Sequence, residues 1–537
     1  MKLTYQGIQD RAAYEAAGIV LPKYDWKTMA AVTEESPVWA HFGAGNIFRG
    51  YIAGLQQRLL NNGLARSGII AAETFDFGII DQIYDPHDSM TLLVSLKPDG
   101  GTDCEVIASI AKGIRANAAD AGQWAQLKAV FANPALQMVS FTITEKGYAL
   151  RNMKGELLPV VEADMKNGPD KAAHAMSVVT AMMVERFLHG AAPLALVSMD
   201  NCSHNGEKLR AGVLEIVSAW EKNGFVPAAF TAYMADENRV SFPWSMIDKI
   251  TPRPAQSICD RLEALGMEDM APVVTPRNTF IAPFVNAEVP QYLVIEDRFP
   301  NGRPALEKAG VYMTTREVVN MTERMKVTTC LNPLHTALAV YGCLLGYTLI
   351  ADEMKDDDLV KLVKTIGYKE GLPVVTDPGI LSPRAFIDEV IEQRLPNVFM
   401  PDTPQRIATD TSQKVGIRYG ETIKAYMVDP TRKPADLTAI PLALAGWLRY
   451  LLGVDDEGNA MPVSADPLLP QLQAELTGVT LGSPDSAKGK LRPILTNSSM
   501  FGVSLEEAGL AEKVEAFYLS MLKGPGAVRR TLRENLK

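Results

Sequence analysis

The chain is poor in the residues that build metal centres and covalent cross-links. Of its 537 residues five are cysteine (Cys104, Cys202, Cys259, Cys330 and Cys343) and six are histidine (His41, His87, His174, His189, His204 and His335). The cysteines show neither the paired spacing of a zinc site nor the density of a disulfide-stapled domain, which points to a reducing compartment. The histidines form no ligand triad in the sequence, so no metal is expected; His204 near Asp200 is the one place that keeps the question open. Basic residues do not exceed acidic ones either. The formal charge of -10 argues against a nucleic-acid surface. There is no run of eighteen or more apolar residues and no basic segment leading into a signal core. No membrane partner is therefore expected, and the cytoplasm is the default location.

What is present is a soluble globular composition, 47% apolar and 22% charged, over a length that favours two large domains or three smaller ones. Between about residues 39 and 201 the short apolar runs SPVWAHF, GIIAAE, LQMVSFTI and PLALVSMD alternate with helical or turn segments. That is the pattern of α/β units. Beyond about Gly310 the balance shifts toward long helices, Pro333 to Met354 and Pro383 to Leu395. The expected fold is α/β, with a Rossmann-like N-terminal domain over residues 1–300 and a largely α-helical domain over residues 301–537.

HFGAGNIFRG, His41 to Gly50, reads as strand, tight turn and helix. Gly43 permits the turn, and Gly45 lets a pyrophosphate approach the helix N-terminus opened by Asn46 and Ile47, where backbone N–H groups favour anions. The usual third glycine is absent. Arg49 either contacts a phosphate or is an ordinary surface arginine one turn into the helix. Glu73 ends the next strand, 28 residues after Gly45, where an acid accepts hydrogen bonds from an adenosine ribose and disfavours the extra phosphate of NADP. Asp76 competes for that role, and either acid could simply cap a turn. In FTITEKGY, Thr144 and Glu145 either face the cofactor end of the sheet or belong to a solvated turn. LALVSMDNCSHNG leads through Asp200 to Asn201, which either projects toward a substrate or forms an Asp-Asn turn, with Asn205-Gly206 as a second turn.

MTERMKVTTCLNPLH, Met321 to His335, is the richest stretch. Asn332 and Pro333 fit an N-cap and N1 pair in front of a buried helix carrying Leu334, Leu338, Tyr341 and Leu345. The Asn332 carbonyl oxygen can cap while its amide NH2 points at a substrate oxygen. His335 lies on the same terminal turn. Lys326, in a partly dehydrated cleft, could accept an alcohol proton; the alternative is a surface lysine. The combination suggests alcohol–ketone chemistry with a nicotinamide.

With LPKYDW, FPWSMIDKITP, EDRFPNGRP and DTPQRIATDTSQKVGIR, these motifs stand in an order that resembles the polyol-specific long-chain dehydrogenase (mannitol dehydrogenase) family, from about residue 20 past Arg418. The resemblance implies a substrate pocket between a Rossmann-like and a helical domain. It further implies NAD as cofactor, Lys326 as acid/base, Asn201 and Asn332 as donors to the developing oxyanion, and His335 on a substrate hydroxyl. Two departures stand out. Six steps separate Lys326 from Asn332, where the family usually has five, so one extra residue must be accommodated. Asn46-Ile47-Phe48-Arg49 also replaces the Gly-Phe-His-Arg of many relatives. CLNPLHTALAVYGCLLG resembles the family's hexuronate-reducing branch, which implies interconversion of D-fructuronate and D-mannonate. Mannitol or arabinitol oxidation is the alternative, and tagaturonate reduction stands behind both. A uronate needs a cationic partner; Arg394, Arg406, Lys414 and Arg418 are candidates, and each could equally serve an ordinary ion pair. The expected partner is a small sugar acid or polyol, and the expected state a monomer, with a homo-oligomer as the alternative.

Overall fold

The computed structural model describes residues 1–536 and divides into two compact units, 1–96 with 101–320 and 97–100 with the chain from Met321 onward. The division falls after Asn320 rather than at 300/301. Strand Tyr312–Thr314 pairs in parallel with Tyr292–Glu296 and so ties the segment past residue 301 to the N-terminal unit.

The N-terminal unit is built on six strands: β1 (Trp39–Phe42), β2 (Ile69–Glu73), β3 (Ile110–Arg115), β4 (Met138–Phe141), β5 (Leu194–Ser198) and β6 (Val240–Ser241). Every pairing is parallel and the order is 3-2-1-4-5-6, the doubly wound dinucleotide-binding order whose switch point lies between β1 and β4. Strands covered on both faces read as continuous apolar runs. Every residue of β1, β2, β4 and β5 is buried, and all four lie in the runs SPVWAHF, GIIAAE, LQMVSFTI and PLALVSMD. One face packs Trp124, Leu127, Met176 and Trp220, the other Phe48, Leu55, Leu59 and Ile80. A separate mixed sheet joins Ile19–Val20, Thr102–Ile107, Thr91–Leu96 and Phe284–Glu288.

After β1 the chain enters a π turn, Phe48–Ile52, and continues as α1 (Ala53–Asn61). α2 (Arg316–Met325), which spans the division, leads through a π turn to α3 (Asn332–Leu344) of the second unit. The helix expected to run to Met354 stops at Leu344. Gly346 takes a left-handed φ of 79°, its N–H bonds Cys343 O, and the Tyr347 N–H bonds Gly342 O at 2.8 Å. This is a Schellman stop that a glycine makes easy. A short helix, Ile350–Glu353, follows. α3 packs on α4 (Ala439–Tyr450), where Gly446 is required because a Cβ would lie 2.7 Å from the Tyr341 ring, and the Tyr341 hydroxyl donates to Leu442 O at 2.7 Å. The Glu370 carboxylate accepts the N–H groups of Thr438, Ala439 and Ile440 at 2.6–2.8 Å and so closes the N-terminus of α4. Among the described residues no helix is long and apolar enough to cross a membrane.

Candidate active site

The glycine turn leaves β1 at its C-terminal end. Gly43 has φ 101°, and a Cβ there would meet the Thr142 carbonyl oxygen at 2.2 Å, so only glycine fits. Gly45 is different: a Cβ would meet no protein atom within 4 Å. One glycine lets the chain turn beside β4 and the other leaves its backbone accessible next to a helix start, a cradle suited to a pyrophosphate. Asn46 and Ile47 open that helix, and the Arg49 N–H bonds Gly45 O at 3.1 Å.

Glu73, Asp76 and Arg49 have partners within this unit. Glu73 Oε2 accepts the Ala44 N–H at 2.8 Å, and Oε1 accepts those of Phe75 (2.7 Å) and Asp76 (3.2 Å). Burial raises the Glu73 pKa, and these N–H bonds oppose the rise. Asp76 accepts the Thr275 hydroxyl at 2.5 Å and the Gly78 N–H at 3.2 Å. Arg49 is neither a surface residue nor extended from the turn. It is 1% exposed and donates to Asn46 Oδ1 and Ala282 O, both at 2.9 Å, and burial pulls its pKa down to about 10.

At the end of β4, Thr144 has φ 64°, an uncommon conformation for a β-branched residue. Asp200 holds it there: its carboxylate accepts the N–H groups of Ile143 and Thr144 at 2.9 and 3.0 Å and the Tyr148 hydroxyl at 2.6 Å. Glu145 is exposed and ion-paired with Lys208. Asn201, exposed, directly follows Asp200. Asn205 is no turn residue. It starts the helix Asn205–Lys222, buried, with its amide on Asp200 O and Ser245 O. His204 packs against Trp244, the ring centroids 4.5 Å apart and the planes tilted by 31°. Among the described residues no group of three or more His, Cys, Asp and Glu is arranged to hold a metal ion.

In the second unit the extra residue between Lys326 and Asn332 has a structural form. Lys326–Cys330 is a π turn closed by the Leu331 N–H on Lys326 O at 3.1 Å. A π turn admits one more residue than an α turn, and such turns concentrate at functional sites. Lys326 is 5% exposed. Asn332 is the first residue of α3 rather than its cap; Leu331 takes the cap position without a side-chain bond and Pro333 stands second. The expected capping role is thus not made, and the Asn332 backbone carbonyl accepts the Thr336 hydroxyl at 2.9 Å. Along α3 only Asn332 and His335 keep partial exposure. Three apart, they share one helix face.

His335 Nε2 lies 3.6 Å from Asp402 Oδ2 and has no hydrogen-bond partner among the described residues. Its pKa is pushed down to about 4, first by burial; Asp402 pulls it up, while Arg418, Arg406 and Arg394 push it further down. His335 is therefore neutral near pH 7. Asp402 itself is ion-paired with Arg406. The π turn Gly416–Gly420 carries Arg418, which donates to Thr336 Oγ1, and Tyr419, whose hydroxyl donates to Pro333 O at 2.9 Å. Lys414 donates to the carbonyls of Thr409 and Ile407. Sequence reasoning missed Asp402, Thr336 and Tyr419. The i,i+4 spacing of Asp402 and Arg406 was the available signal for the first.

Against known proteins, the mannitol dehydrogenase Rossmann domain matches residues 39–308 and the mannitol dehydrogenase C-terminal domain residues 319–522. The chain is 51% identical over 536 residues to a D-mannonate oxidoreductase of Thermotoga maritima, covering 99% of each. Among solved structures it is similar to a D-sorbitol dehydrogenase in substrate-free form, with TM-score 0.77 and 26% identity over 97% of this chain and 98% of that one. It is also similar to Pseudomonas fluorescens mannitol 2-dehydrogenase in a ternary complex with NAD and D-mannitol, with TM-score 0.68 and 25% identity over 99% of both chains. With the doubly wound sheet, the glycine turn and both matched domains in sequence order, the chain belongs to the mannitol dehydrogenase family.

Proposed function

We propose that the chain is an NAD-dependent oxidoreductase that interconverts D-fructuronate and D-mannonate. One observation carries the substrate class: His335, half-buried near the start of an otherwise buried helix, lies 3.6 Å from Asp402, next to the Thr336 that accepts from Arg418, and feels the charges of Arg418, Arg406 and Arg394. An anionic sugar acid suits that surround better than a neutral polyol. The full-length likeness to a D-mannonate oxidoreductase points the same way.

The nicotinamide, when bound, supplies the hydride for the ketone carbon. Gly43, Gly45 and the helix start at Asn46 and Ile47 would hold the pyrophosphate. Glu73 and Asp76 place two carboxyl groups at the end of β2. Together they disfavour a further phosphate on the adenosine ribose and so favour NAD, even though both already accept protein hydrogen bonds. As hydride arrives, charge develops on the ketone oxygen, and Lys326 gives that oxygen its proton; in the reverse direction Lys326 takes the alcohol proton. Asn332 donates an amide N–H to the same oxygen, and the family pattern assigns the second amide to Asn201. A neutral His335 can accept from or donate to a substrate hydroxyl. An ammonium and amide donors suffice to polarise the carbonyl, so this reading needs no metal.

The test is conversion by the purified enzyme. D-fructuronate with NADH should yield D-mannonate, one NADH consumed per product, faster than tagaturonate, fructose or xylulose and faster than with NADPH. Equal or better efficiency with neutral ketoses would move the assignment to a polyol dehydrogenase. A clear NADPH preference would reject the role given to the acids after β2.

A further inference from the structure

Two buried arginines, Arg186 and Arg449, contrast with the half-buried Arg418. Arg186, 1% exposed, directs its guanidinium at five carbonyl oxygens, those of Phe131, Asn133, Leu136, Ala192 and Pro193. Arg449 reaches the carbonyls of Val454 and Asp455 and lies near the Asp455 and Asp456 carboxylates. Arg186 is a structural clamp with every guanidinium nitrogen on a carbonyl, and Arg449 is held by two carbonyls with two carboxylates nearby. Arg418 differs from both. It is half-buried, its guanidinium donates to the Thr336 hydroxyl, and among the described residues no carboxylate pairs with it. Its surroundings are also cationic. Burial and then Arg418 lower the pKa of Lys414, against Asp410 and Asp466; Arg406 acts in the same direction as Arg418, and Asp402 is already ion-paired with Arg406.

A guanidinium offers five N–H donors in a rigid fork. Withdrawing it partly from water with one neutral acceptor is unfavourable, and such an arrangement persists when an anion completes it. Two features hold it in place. Gly416 and Gly420 press the π turn against the chain near Phe501, where a Cβ on either would meet a backbone carbonyl within 2.8 Å. The Tyr419 hydroxyl ties the same turn to Pro333 O. Arg418 is thereby fixed beside Thr336, the residue after His335.

We propose that Arg418 binds the substrate carboxylate with its guanidinium fork and sets the preference for a sugar acid over its neutral counterpart. The proposal rests on the hexuronate reading above and deepens it by naming the residue. In both D-fructuronate and D-mannonate the carboxylate stands at the end of the carbon chain remote from the reacting carbon. A group that grips it therefore acts on binding and orientation and takes no part in the proton or hydride step.

The test compares Arg418→Met and Arg418→Lys in the full-length chain. Arg418→Met should lower kcat/KM for D-fructuronate by about 10²- to 10³-fold, mostly through KM, as removal of a buried charged partner does. NADH affinity should stay within about twofold of wild type, and melting should occur at or above the wild-type temperature, because an uncompensated charge partly withdrawn from water is not stabilising. Arg418→Lys should recover part of the loss, keeping the charge without the fork. D-mannonate should raise the melting temperature of the wild type and leave that of Arg418→Met unmoved. Fructuronate turnover by Arg418→Met within about threefold of wild type, a factor too small for a lost charge pair, would overturn the proposal. So would a folding defect in Arg418→Met, which would make the guanidinium another clamp. A wild-type enzyme indifferent to fructuronate fails the functional reading first and this proposal with it. Normal wild-type turnover with an unaffected variant fails this proposal alone.

Discussion

Near the glycine turn, Glu73 and Asp76 accept backbone N–H groups and a hydroxyl, Asp200 fixes Thr144, and Arg49 is turned inward onto Asn46 and Ala282. Around His335 three arginines act on the ring with Asp402 as the opposing acid, and Arg418 has a hydroxyl for a partner. The first region uses its charges to hold a backbone shape, because a dinucleotide's phosphates are received by N–H groups. In the second, Arg406 is already paired with Asp402, and it is Arg418, bonded to a hydroxyl, that the proposed anionic substrate would complete. Charge satisfied within the chain marks scaffold, and charge left unsatisfied marks the place where a ligand completes the structure.

The comparison breaks most sharply at Lys326. Lys326→Ala should lower single-turnover hydride transfer by about 10²–10⁴-fold, the loss expected for a positioned acid/base, with NADH affinity nearly unchanged. Near-normal transfer across pH would remove the lysine from the chemistry and make its π turn a packing feature. Asn332→Ala should follow at about 10²–10³-fold in kcat. Because Asn332 does not cap α3, its melting temperature should barely move; a drop matching about 1 kcal/mol would restore the capping role.

The two glycines sharpen the N-terminal side. Gly43→Ala forces a Cβ onto the Thr142 carbonyl and should cost about 1–3 kcal/mol of stability, measured by denaturant titration. Gly45→Ala meets nothing in the protein, so stability should hold while NADH binding weakens. Unchanged NADH affinity in Gly45→Ala would argue that the cofactor does not approach there.

A pH-dependent effect concerns Glu353, a carboxyl in the scaffold of α3. It is fully buried, neither oxygen has a hydrogen-bond partner, and it sits where a Cβ on Gly342 would be. Burial, with Asp356 nearby, raises its pKa to about 9. The folded state then binds a proton that the unfolded state releases between the ordinary carboxylate value and that pKa. Stability from this group is full at acid pH and falls as pH rises through the window, by at most about 1.4 kcal/mol per unit. Glu353→Gln should abolish that loss, so its advantage over wild type should grow from pH 5 to 9. Parallel stability–pH curves would contradict the buried, protonated state.

The sequence made the parallel core easy to read where strands are buried on both faces. β3, an edge strand with a half-exposed Lys112, and the two-residue β6 gave too short or too mixed a pattern. The one-residue excess after Lys326 was countable, but its π turn was not readable, since a π turn differs from an α turn by a hydrogen-bond shift rather than by composition. The fate of Arg49 was equally hidden: its acceptor Ala282 lies 233 residues further on. The cations around His335 were visible individually. Their convergence depended on tertiary packing.

D-Fructuronate and D-fructose test the central contrast most directly, because they differ only in a carboxylate against a hydroxymethyl at one terminal carbon. The measurement is kcat/KM for both under matched NADH and ionic strength. A substrate carboxylate held by Arg418 predicts a preference for fructuronate of about 10²-fold or more, the size expected for a desolvated charge pair. Fructose reduced as efficiently as fructuronate would contradict the account.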